Sequence, residues 1–129
     1  LFSQGRFLRN NLLSILQITT LITALRWLLI YLFPQNIAVL FFAQSLHALS
    51  FALFHSAAIS YLFHTYKHKA LAQQFFSGIT YGLGGFVGAL LAGYIYELFP
   101  RELFLSAALL AFLAFVFLRL HALGTKIKY

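Results

Sequence analysis

The sequence predicts an all-α polytopic membrane protein with four transmembrane helices, and three observations carry that prediction. Of its 129 residues, 62% are hydrophobic and only 9% are charged, where soluble domains carry roughly 25% charged residues. The apolar residues fall in long continuous runs rather than in the ~10-residue alternating segments of a membrane β-barrel. One run, residues 37–63, is free of Asp, Glu, Lys and Arg over its whole length.

Taken in order, each helix is long enough for a hydrocarbon core of ~30 Å at 1.5 Å per residue. The first is expected over about 11–33, ended by Pro34 in FPQN; proline cannot supply a backbone donor to a continuing helix. The second spans 37–63. The third covers about 71–98, closed by the turn FPRE, and the fourth about 103–120, followed by a basic tail. The opening stretch LFSQGRFLRN reads as an interhelical loop, with no small-residue cleavage site after it to suggest a signal peptide. Short linkers make neighbouring helices antiparallel. The segment YLFHTYKHKA at 61–70 is the main polar interruption and reads as a solvated loop drawn to anionic head groups.

The formal net charge of +7 follows topology rather than nucleic-acid binding. Arg6, Arg9, Lys67, Lys69, Arg119, Lys126 and Lys128 fall on one side of the alternating spans, with Arg101 alone on the other. Basic residues collect in cytoplasmic loops, so both ends of the segment are expected in the cytoplasm. Cysteine is absent, which excludes disulfides, thiolate metal sites and cysteine nucleophiles. Methionine is absent as well, position 1 included, and the chain is expected to be part of a longer protein.

Polar groups inside the spans are the candidate site. Gln44, His47 and His55 interrupt the second span, and such groups in hydrocarbon are costly unless they face a partner or a wet cavity. At about 100° per residue, His55 lies about 20° from Gln44 and His47 about 60° to the other side, with Phe51 on the same face. Ser50 and Ser56 lie off it. That stripe suits hydrogen bonding to a polar solute, and imidazole can pass protons near neutral pH; the competing reading is helix-to-helix hydrogen bonding alone. Arg26 is the only basic residue well inside a span. It either snorkels to the interface beside Trp27 or faces a central cavity, where it would bind a carboxylate. Two histidines eight residues apart on one helix do not make a haem or HExxH-type zinc site, and no cofactor or metal is expected. Glu97, near Arg101, reads as a boundary residue.

The third span holds Gly78, Gly82, Gly84, Gly85, Gly88 and Gly93. GxxxG spacing lets helices approach closely in lipid, so Gly78, Gly82, Gly85, Gly88 and Gly93 are expected to pack against another helix. No βαβ unit surrounds YGLGGFVG, which removes a nucleotide-binding reading.

LRW at 25–27, the pattern QxLHAxSFxxFHxAAI from Gln44 to Ile59, and YGLGGFVG followed by LAGYIYE at 91–97 together resemble the last four helices of a major facilitator superfamily transporter. The similarity is to the branch of phenylpropionic acid and lactose permeases. The resemblance implies a segment of a twelve-helix bundle in a bacterial inner membrane, working as a proton-coupled symporter for a small organic solute. The solute would be an aromatic acid such as phenylpropionate, or a nucleoside or sugar. It also implies that Arg26 and His47 occupy positions on the solute and proton pathway. Ser50 stands where the lactose permease pattern has an acidic residue, Gln44 where it has lysine, and Tyr81 where it has a second lysine. The phenylpropionate-like branch therefore fits better than lactose itself. The partners implied are the bilayer, the remaining helices of the transporter, the solute and protons. A self-contained four-helix subunit that oligomerises through its glycine-rich helix is the alternative, and no enzyme activity is expected.

Overall fold

The computed structural model describes the backbone of residues 2–128 and the side chains of residues 10–124. The order is α1 (Phe2–Leu32), α2 (Ile37–Thr65), α3 (Lys69–Ser77), a π-helical segment (Gly78–Leu83), α4 (Gly84–Leu98) and α5 (Glu102–Lys128). The segments α3, π and α4 form one continuous span. Stretches long and apolar enough to cross a membrane run over Asn10–Leu32, Ile37–Thr65, Lys69–Leu98 and Glu102–Gly124. The fold is all-helical, with four membrane-spanning helices.

Two expectations about the ends need correction. The backbone is helical from Phe2, so LFSQGRFLRN is the first part of α1 rather than a loop, and the basic tail continues α5 to Lys128. Neither stretch contains proline, and Leu, Phe, Arg and Lys all tolerate a helix. The side chains of Arg6, Arg9, Lys126 and Lys128 lie outside the described residues. The polar loop after α2 is shorter than expected, because the helix runs on to Thr65. There the His64 Nδ1–H donates to the Ser60 carbonyl at 2.7 Å.

Helix boundaries follow local chemistry. Asn36 caps α2, its side-chain oxygen accepting from the Val39 N–H at 3.3 Å and so satisfying one of the orphan amides of the first turn. Pro34 and Pro100 sit in the two non-helical turns on the same side of the bundle.

Packing centres on α1, which lies against both α2 and α5. Leu13 and Leu16 of α1 form a core with Ala57 and Ala58 of α2, covered by Phe54, Tyr61, Leu118 and Ala122. On α2 the buried residues are Ala43, Ser50, Ala57 and Ala58. Three of these recur every seven residues, a small-residue seam that lets the α1 backbone come close. Thr19 and Thr20 on α1 are buried, and their hydroxyls donate to carbonyls one turn back, Leu16 and Gln17 among them. At one end of α1 the Trp27 ring stacks on Phe104 of α5 with centroids 5.9 Å apart. Towards the other, the hydroxyl of Tyr61 on α2 meets His121 Nε2 on α5 at 2.9 Å.

The third span stands apart. Backbone contact reaches α2 only through α3 and α5 only through α4, and no described residue of α3, the π segment or α4 is buried. A Cβ added at Gly78, Gly82, Gly85, Gly88 or Gly93 would meet nothing within 4 Å. Packing within this chain runs between α1 and α2 through Ala43, Ser50 and Ala57, between α1 and α5, and through Phe76 of α3 onto the core, while the glycine face is open.

Candidate functional site

The second span carries a polar and aromatic strip on a face that α1 does not cover. Ser50 is buried against the bundle, whereas Gln44 and His47 are exposed and His55 is half-buried. This division follows from the helical wheel, since small residues take the seam and the larger polar ones are left beside it.

Stacking holds the strip in order. The His47 ring lies 5.9 Å from Phe51, and Phe51 lies 6.1 Å from His55 with planes only 12° apart. The i, i+4, i+8 spacing puts three flat rings one above another along the helix. At the end of the strip, His55 Nδ1 is 2.9 Å from the hydroxyl of Tyr81, and Phe76 packs edge-on against the Tyr81 ring at 6.3 Å. Tyr81 belongs to the π segment, which makes no close backbone contact with α2. The hydrogen bond therefore reaches across a gap between two spans. Sequence reasoning places Tyr81 only as a position of resemblance. Nothing in a linear pattern pairs it with a histidine 26 residues earlier.

Arg26 is buried, at 5% exposure, in the membrane-spanning part of α1. The guanidinium is folded back over the neighbouring Trp27 ring, 3.9 Å from its centroid. Its Nε has no hydrogen-bond partner among the described residues. A desolvated cation–π contact is worth about 2 kcal/mol or somewhat more, and taking a charge out of water costs several kcal/mol. Trp27 alone does not offset that cost. The strip and Arg26 are not joined by any hydrogen bond: His55 pairs with Tyr81, and Arg26 stays on Trp27. Among the described residues no group of three or more His, Cys, Asp or Glu is placed to hold a metal.

Four apolar spans, with imidazole, amide and guanidinium groups within their length, define a polytopic membrane protein rather than a simple anchor. The family model described as the MFS_1 like family matches residues 2–107. The chain belongs to that family, and so to the major facilitator superfamily, whose membership points to a transporter rather than an enzyme. Neither a curated protein nor a solved structure matches the chain.

Proposed function

We propose that the chain is the last four helices of a secondary active transporter, with both ends cytoplasmic in a bacterial inner membrane. The whole protein takes up a small organic solute together with protons by alternating access. An aromatic acid suits the site best, with a nucleoside or sugar as the other solute classes. Arg26 contacts the anionic group, Gln44 and His47 hydrogen-bond the solute or exchange protons, and His55 stands at the cytoplasmic end of the strip. Transporter sites of this kind form at the interface of two helical halves.

The observation that carries the reading is the polar strip itself. Gln44 and His47 lie exposed beside the packing seam rather than in it, so helix packing within this chain does not explain their cost, while His55 meets part of its own by pairing with Tyr81. The open glycine face fits the same reading, since Gly78, Gly82, Gly85, Gly88 and Gly93 would receive the remaining helices of the transporter. It also fits the second reading, in which a self-contained four-helix subunit packs against its own copy through that face.

Uptake of labelled phenylpropionate, nucleosides and sugars by the full-length protein in proteoliposomes tests the proposal. His47→Ala is expected to lower uptake of the accepted solute about tenfold, the effect of one good hydrogen bond and a proton-passing group. Normal uptake by both His47→Ala and Gln44→Ala would remove the strip from the path. Dimerisation without uptake of any solute would favour the subunit.

A further inference from the structure

The third span is continuous α-helix by sequence pattern but changes register at Gly78–Leu83, where the backbone is π-helical. The register closes with the Gly84 N–H donating to the Ile79 carbonyl, five residues back. A π turn widens the helix by one residue and is uncommon, often marking a functional position. Gly84 is also the one glycine of this span at which an added Cβ would be crowded, 3.2 Å from the Ile79 oxygen. At that distance the carbonyl would have to shift. The other glycines of the span face open space. Gly84 is thus tied to the π turn itself, and the π turn carries Tyr81, whose hydroxyl lies 2.9 Å from His55 Nδ1.

We propose that Tyr81 is a positioning residue for His55: its hydroxyl donates to Nδ1 and fixes the Nε2–H tautomer, and the π turn admitted by Gly84 is the backbone device that presents the hydroxyl. A phenol is a good donor and a neutral imidazole nitrogen a good acceptor. The partner on one ring nitrogen decides which nitrogen keeps the proton. Phe51 fixes the plane of the imidazole by stacking at 12°, and Tyr81 fixes its tautomer. Together they leave Nε2–H as the one group that His55 offers to a solute acceptor, an ether, hydroxyl or carboxylate oxygen. The inference rests on the proposed role of His55 in the solute path, but its first test does not.

That test is nitrogen-15 NMR of the full-length protein in nanodiscs with labelled histidine, the His55 signals assigned with His55→Gln. The unmodified protein is expected to show a single neutral tautomer protonated on Nε2. Tyr81→Phe keeps the ring but is expected to give a mixture of the two tautomers, and Gly84→Ala the same mixture with Tyr81 intact. His55 signals unchanged in Tyr81→Phe would overturn the inference. A shift in Tyr81→Phe with none in Gly84→Ala would overturn the role of the π turn alone. Uptake then separates the two readings, with KM for the solute expected to rise about fivefold in Tyr81→Phe for loss of an oriented donor. A changed tautomer with unchanged uptake would uphold Tyr81 as the positioner and remove His55 from the solute path.

Discussion

Arg26→Leu is expected to cut uptake by the full-length protein at least tenfold while making its span easier to insert. The two effects have opposite signs because the guanidinium is costly where it sits. At the very centre of a transmembrane helix arginine costs about 3 kcal/mol and leucine contributes about 0.5 kcal/mol in favour of insertion, so at Arg26, five residues from the midpoint of Asn10–Leu32, the difference is smaller with the same sign. In the fold Arg26 is 5% exposed, with the Trp27 ring against its guanidinium and its Nε without a hydrogen-bond partner among the described residues. A residue retained for stability would fall in stability on replacement. One kept to meet an anion loses function and gains stability. A charge-assisted hydrogen bond is worth about 1.5–3 kcal/mol, so Arg26→Leu should reduce uptake at least tenfold for a carboxylate solute. Arg26→Lys should recover part of it, since the charge survives and the planar fork does not. Uptake together with thermal stability in detergent checks both signs. Unchanged uptake in Arg26→Leu would show that the buried cation serves no solute.

Ala43→Leu is expected to have the largest structural effect. Ala43 has 0% exposure and heads the seam that continues through Ser50 and Ala57 on the α1 side of α2. Three added carbons at a fully buried helix–helix contact cost typically about 1–3 kcal/mol, occasionally more. In lipid the loss is severe, because packing rather than hydrophobic burial holds the helices together. The variant should lose most of its folded population on purification, measured by size exclusion and thermal melting. Leu53→Ala, on an exposed position of the same helix, should stay within a few tenths of a kcal/mol. Equal stability of Ala43→Leu and the unmodified protein would mean that α1 and α2 do not meet at this seam.

How much of this is legible in the sequence differs from one feature to the next. The four spans follow from composition, since runs such as 37–63 leave no alternative in water or in a barrel. The strip of Gln44, His47, Phe51 and His55 follows from the 3.6-residue period alone. Glycine density draws attention to the third span, which within the described residues touches the rest of the chain mainly at its two ends and through Phe76. The α1–α2 seam at 43, 50 and 57 is built from alanine and serine, common enough to go unnoticed. The start of α1 is missed because polar residues before Asn10 look like a loop, although hydropathy reports membrane depth and not helicity. The π turn and the His55–Tyr81 pair are hidden for a different reason. Both depend on which carbonyl each amide reaches, and no side-chain pattern records that choice.

The central claim is that the face of α2 carrying Gln44, His47 and His55 lines a wet solute path, with Leu49 and Leu53 on the opposite side away from it. The 129 residues contain no cysteine, so single cysteines can be placed within them without first removing others. Cysteines at 44, 47 and 51 are expected to react with a polar, membrane-impermeant thiol reagent in the full-length protein, and bound solute is expected to slow that reaction. Cysteines at 49 and 53 are expected to stay unlabelled. Equal labelling on both faces, or reaction at 49 and 53 alone, would contradict the claim.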